Sequence, residues 1–228
     1  MSTIVSPVTL QSFEALPPHE RRCTFWTMDP SAIETSGRLS DPEFEKEAWL
    51  SILLLEWGTC GQIATDKGET LGAAMYAPPG DVPRSRTFPT SPVSPDAVLL
   101  TSMWVRDGSP GRIEDLRAML MRAVVADLVN RGVRAIESFG IRHNDDDLPQ
   151  RHATDECTES TCMIDADFLE KAGFEVVAEH RRFPRLRLEL DRDHGWKQDV
   201  EAALESLLAA AVLTMSSATE NQKSLAHC

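Results

Sequence analysis

The chain has 228 residues, 36 acidic against 23 basic side chains, and a formal charge of −13 at pH 7. Its 42% hydrophobic and 26% charged residues are a globular composition, and a pI near 4.9 excludes a general nucleic-acid binder, which needs a basic footprint. No apolar run reaches the roughly 20 residues of a membrane span. The first residues lack the basic and apolar pattern of an export signal, and five cysteines are an odd count in a chain long enough to bury a core without staples. These features predict a reducing, cytoplasmic setting.

Residues 1–20, with Pro7, Pro17 and Pro18, read as a flexible lead-in, and Cys23 to Met28 as a first strand of β-branched and aromatic residues. Ser40-Asp-Pro-Glu43 has the form of a capping box with proline in the first turn, opening a helix that Gly58 ends. Two strands, Gln62 to Thr65 and Thr70 to Tyr76, flank the turn signal Asp66-Lys-Gly68. Residues 77–97 hold six prolines and form a long loop before the apolar strand Ala97 to Val105. Asp107-Gly-Ser-Pro-Gly111 leads into a helix with Ile113, Leu116, Leu120, Val124 and Leu128 on one stripe, and Gly132 closes it. Val133 to Phe139 is then a strand parallel to the one before the helix. Residues 141–163 are a polar insertion rich in His and Cys. A short helix from Asp165 to Ala172 and the strands Phe174 to His180 and Arg185 to Leu190 follow. Residues 193–214 are expected to form an amphipathic helix (Trp196 to Ala211) and 215–228 a disordered tail. The order describes one α/β domain over 21–192.

Val98 to Phe139, followed by Ala166-Asp-Phe-Leu-Glu-Lys-Ala-Gly-Phe174, resembles the GNAT superfamily of acetyl-CoA-dependent N-acyltransferases. The resemblance spans roughly residues 20 to 190. It implies a mixed, mostly antiparallel sheet with one splayed parallel strand pair and helices on both faces. It also implies that acetyl-CoA lies in the splay, its pantetheine arm on the backbone of Met103, Trp104 and Val105. Its pyrophosphate would then rest at the start of the central helix, on Arg112, Ile113, Leu116 and Arg117. The family's phosphate loop, Gln/Arg-x-x-Gly-x-Gly/Ala, falls on Arg112 to Arg117, where Arg112 matches but Asp115 and Arg117 stand in place of glycines. Gly108 and Gly111 supply the tight turn if the loop is shifted one step earlier. Where many members carry a tyrosine acid, this chain has Leu169, and its one tyrosine, Tyr76, is on another strand. Proton transfer then falls to Glu137 or His143, with Cys23 or ordered water as further options. The loop between the last two strands borders the acceptor pocket in this arrangement. Its Arg181, Arg182 and Arg185, beside His180, form either an anion clamp on the acceptor or a charge balance for nearby acids.

Cys157-x4-Cys162, with Cys23 and a histidine from His19, His143 or His152, has the residue types of a tetrahedral zinc site; His19-x3-Cys23 is the favoured fourth contribution. The competing reading is unpaired thiols and surface histidines. Asp145-Asp-Asp147 reads as a solvated acidic patch rather than a cation chelator.

The expected function is transfer of acetyl from acetyl-CoA to a primary amine of a small molecule or peptide, by a monomer or homodimer with no nucleic-acid or membrane partner. The alternative is a catalytically degenerate GNAT-fold module that regulates or binds proteins.

Overall fold

The structure is a computed structural model that describes residues 3–30, 41–143 and 157–190. Its sheet is organised around the Asp66-Lys-Gly68 turn, where Lys67 (φ 51°) and Gly68 (φ 83°) both lie in the left-handed region. Two such residues make the tight hairpin turn whose twist matches that of the strands it joins. It connects β2 (Gly61–Asp66) to β3 (Glu69–Ala77). On the outer side of β2 runs β1 (Ile4–Pro7), antiparallel, with Pro7 opposite Gln62. Beyond β3 lies β4 (Ala97–Val105), also antiparallel.

From β4 the chain enters the long helix α3 (Pro110–Asn130) and returns as β5 (Ala135–Ile141), parallel to β4. The two earlier helices are α1 (Pro18–Arg22) and α2 (Pro42–Glu56). After β5 come α4 (Glu159–Cys162), β6 (Ile164–Asp165), α5 (Ala166–Lys171), β7 (Glu175–Ala178) and β8 (Arg185–Glu189). The sheet order is β1-β2-β3-β4-β5-β8-β7, and β6 pairs in parallel with the end of β5. All neighbours other than β4/β5 and β5/β6 are antiparallel. This is the mixed α/β architecture the resemblance implied. No helix among the described residues is long and apolar enough to cross a membrane.

Helices cover both faces. On one, the α3 stripe Leu116, Leu120, Val124 and Leu128 packs with Phe168 and Leu169 of α5 on Ala74, Leu100, Ile136 and Leu186. On the other, Leu50 and Leu53 of α2 join Phe25, Trp26 and Phe88 over Met75, Leu99 and Phe139. The rings of Trp26, Phe88 and Phe139 stack, with Phe88 and Phe139 centroids 4.6 Å apart. Tyr76, fully buried on the α3 face, donates to Asp127 Oδ2 at 2.8 Å and accepts from Gln62 Nε2 at 3.0 Å. That arrangement makes it a core residue.

Several sequence expectations are corrected. Residues 4–22 are not a loose lead-in: they form β1, a 3-10 turn over Leu10–Ala15 and α1, with Val8, Phe13 and Leu16 buried. Cys23 to Met28 is a run of turns, not a strand, because its aromatic residues pack under the sheet instead of pairing at its edge. The cap of α2 is Asp41, whose Oδ1 accepts from Phe44 N at 3.1 Å; Ser40 lies outside the described residues. The proline-rich loop is packed, with Val82, Ser85, Phe88, Thr90 and Val93 buried. The expected helix at 193–214, the tail, His152 and Asp145 to Asp147 also lie outside the described residues.

Candidate functional site

β4 and β5 pair over only three residues, Ala97–Leu99 against Ala135–Glu137, and then part. The divergence begins at a bulge: β3 positions Met75 and Tyr76 face Ser102 and Leu100, so Thr101 is the extra residue. Thr101 Oγ1 donates to Met75 O at 3.0 Å, and Ser138 Oγ of β5 donates to Leu100 O at 3.0 Å, closing the apex of the split. Beyond Leu99, no strand among the described residues pairs with the β5-facing edge of β4.

The split opens as a cleft lined by Met103, Val105, Arg117, His143, Asp165 and Phe168, with the α4–β6 segment as its far wall. Met103 and Val105 share one face of β4, while the Trp104 side chain alternates to the other. The Arg117 guanidinium sits 4.9 Å from the Phe168 ring centroid and pairs with Glu114 at 3.3 Å. His143 Nε2 is 3.8 Å from Asp165 Oδ2, whose other oxygen caps α5 through Phe168 N.

A second concavity continues past the start of α3, lined by Lys67, Arg106, Gly108, Ser109 and Arg112 together with Asp66, Glu69 and Asp107. α3 begins with Pro110, and the Ser109 side chain makes no cap bond. The first-turn amides of the buried Gly111 and of Arg112 therefore have no helical partner, at a helix end where the dipole favours an anion. Ile113 N is spent on Ser109 O at 3.1 Å, and Leu116 is buried inside the second turn. The amides of the first turn that have no helical partner therefore lie before Ile113 and Leu116. Arg112 is at the mouth, and Arg117 is one turn further along the cleft wall.

Glu137 is not in the cleft. It is fully buried on β5, held by Arg185 Nη1, by Arg187 Nη1 at 3.1 Å and by Ser94 N at 3.2 Å. Burial works to raise its pKa, but the bonds from Ser94 and Arg185 prevail and hold the carboxyl below the usual glutamate value. A carboxylate so enclosed cannot exchange protons with a substrate. Arg185 is correspondingly consumed: besides Glu137 it donates through Nε to Thr90 O at 2.7 Å. Of the three acceptor-loop arginines only Arg181 and Arg182 are exposed, in the turn fixed by His180 Nδ1, which accepts from Arg182 N and Phe183 N.

An acid that the sequence reading passed over stands at the opposite face of β4. Glu20 of α1 is buried, and its Oε2 accepts from Ser102 Oγ at 3.0 Å. Ser102 neighbours Met103 at the point where the strands part. The only local signal was Pro17-Pro18 as a helix start, too short to place a side chain 82 residues from its partner.

The same helix contributes to a cluster. His19 and Cys23, four residues apart, lie on one face of a helical turn. Cys157 and Cys162 bracket the single turn of α4. The donor atoms of all four lie within 4.8 Å of one another. Cys23 Sγ is 3.4 Å from Cys162 Sγ, which is 3.6 Å from His19 Nε2. Trp26 Nε1 donates to Cys162 O at 3.0 Å, fixing the end of α4. The hydrogen bond with Cys157 and burial push the Cys23 thiol up to about 12, while bonds from Cys162 and Cys23 draw Cys157 far down. His143 belongs to the cleft and not to this group.

No family model matches the sequence, and no curated protein does. Solved structures do. An N-acetyltransferase from Staphylococcus aureus Mu50 matches with TM-score 0.51 and 12% identity, over 84% of this chain and 100% of that one. The PaiA N-acetyltransferase from Thermoplasma acidophilum, in complex with coenzyme A, matches with TM-score 0.50 and 11% identity, over 83% and 99%. A putative acetyltransferase from Salmonella typhimurium with its cofactor acetyl-CoA gives 0.50 and 13%, over 86% and 98%. With the split parallel pair, the bulged β4 and helices on both faces, the chain has the fold of the GNAT superfamily of N-acetyltransferases.

Proposed function

We propose that the protein transfers the acetyl group of acetyl-CoA to a primary amine of a small molecule or peptide. The observation that carries this reading is the cleft where β4 leaves β5, running from an exposed strand edge to the first turn of a long helix. Its residues fit the cofactor. The edge at Met103 and Val105 offers backbone groups to an amide-bearing arm, and the Gly111 and Arg112 amides with the Arg112 guanidinium suit a pyrophosphate. Bound there, acetyl-CoA supplies an acyl thioester.

The chain's own groups do the rest. Glu20, buried and anchored on Ser102, is the carboxylate placed to take a proton from the incoming amine on the α1 face of β4. His143, beside Asp165 in the cleft, is placed to return a proton to the departing thiolate. Arg181 and Arg182 are left to meet an anionic group on the acceptor. Holding amine and thioester together in a walled cleft supplies much of the rate for direct transfer.

The test is thermal stability with acetyl-CoA, since a ligand of the native state raises the midpoint by mass action. Wild type is expected to show a concentration-dependent rise that Arg112→Glu abolishes. Glu20→Gln should keep the rise and lose about 100-fold in kcat. No rise in the wild type at millimolar cofactor overturns the reading in favour of a non-catalytic binding module.

A further inference from the structure

We infer that His19, Cys23, Cys157 and Cys162 form a closed, structural zinc site that fastens α1 to the segment walling the cleft. The four residues come from two stretches of chain more than 130 residues apart, yet their donor atoms converge to within 4.8 Å. Tetrahedral zinc, with thiolates about 2.3 Å and imidazole nitrogens about 2.0 Å from the metal, separates two sulfurs by about 3.8 Å and sulfur from nitrogen by about 3.5 Å. The protein shows 3.4 Å between Cys23 and Cys162 and 3.6 Å between Cys162 and His19.

Local structure explains the convergence at each end. Four-residue spacing along α1 stacks His19 over Cys23. On the other side, Thr158 and Thr161 form a reciprocal capping box that bends the chain through one turn and brings Cys157 back toward Cys162. Three soft thiolates and one imidazole select zinc over hard, oxygen-preferring cations. Four protein ligands leave no open position, so the site is structural and not hydrolytic. Such a set carries one net negative charge, and the buried Lys46 of α2, whose charge acts on Cys23, balances it.

The placement gives the metal a task. α4 leads directly into Met163, Ile164 and Asp165 of the cleft wall, and α1 carries Glu20 next to His19. Zinc would tie these two short helices, each too short to be stable alone, to one point beside the split.

Metal analysis of the full chain, purified under reducing conditions without chelator, is expected to give about one zinc per chain. Cys162→Ser should lower this at least tenfold. Because that variant replaces a buried group, His19→Ala, at a half-exposed position, serves as a second one and should also weaken retention against a competing chelator at least tenfold. Cobalt replacing zinc should show the visible bands of a tetrahedral ion and a thiolate-to-metal charge-transfer band in the near ultraviolet. A wild-type chain that holds less than about a tenth of an equivalent of metal, and gives no such spectrum on cobalt titration, overturns the proposal. A Cys23–Cys162 disulfide in freshly isolated protein overturns it equally, since it removes two ligands. None of these readouts depends on acetyl transfer.

Discussion

Glu137 shows how strongly a single buried charge commits its surroundings. Its carboxylate is completely enclosed, and each oxygen meets an arginine, Oε2 with Arg185 and Oε1 with Arg187. Arg187 in turn pairs with Asp96 at 3.0 Å and Glu189 at 2.6 Å. Removing the charge takes the carboxylate away from the mostly buried Arg185 and leaves Arg187 to Asp96 and Glu189, so Glu137→Gln is expected to cost about 3 kcal/mol of stability at neutral pH, read from urea denaturation. The sign with pH follows from the direction of the shift. The folded-state pKa lies below the usual 4.5, so the stabilisation is fully present above 4.5 and is lost as pH falls from there through the folded value. Stability measured against pH should therefore fall more steeply below 4.5 in the wild type than in Glu137→Gln. Equal slopes would show that the carboxylate's pairing does not contribute to the acid transition. On sequence alone this glutamate is one of the groups to which the resemblance leaves proton transfer. What it faces is decided by β8, whose arginines arrive opposite it in register.

At the scale of elements, local chemistry was legible wherever the signal was local. The Asp66-Lys-Gly68 turn, the end of α3 at Gly132 (φ 75°) and the end of α5 at Gly173 (φ 92°) all stand where the sequence placed them. Gly132 occupies a left-handed position that costs any residue with a Cβ, so Gly132→Ala should lower stability by about 1 kcal/mol in chemical denaturation. Asp41→Ala should cost about 1 kcal/mol through the lost bond to Phe44 N. Short elements were a different matter. β1 has four residues, α1 five and α4 four, too few for a period to declare itself. Their stability comes from what they dock onto, which is why residues 1–20 read as a lead-in and Cys23 to Met28 as a strand. Glu20 was missed for the same reason.

For the whole molecule, the sheet joins two cores. β3, β4 and β5 each present alternate residues to α3 and to α2, so neither face can loosen without the other losing its floor. Leu120→Ala, at a fully buried position of α3, should cost about 3 kcal/mol. It should also lower the unfolding midpoint of tryptophan fluorescence, to which Trp26 and Trp49 on the opposite face contribute, as much as that of far-ultraviolet circular dichroism. Midpoints that separate would show two independent units. The sequence by itself determined the fold class, because apolar periodicity and turn residues act through neighbours along the chain. It also determined the residue types of the cysteine and histidine cluster, because four-residue spacing already places His19 beside Cys23. Only the tertiary structure decided which partner each charge meets. Glu137 and Arg185 went to the core and Glu20 to the edge of the split, since a side chain's partners depend on strand register across more than 40 residues. It likewise decided that Cys23 meets Cys162 across 139 positions, a distance at which pairing is set by packing and not by sequence spacing.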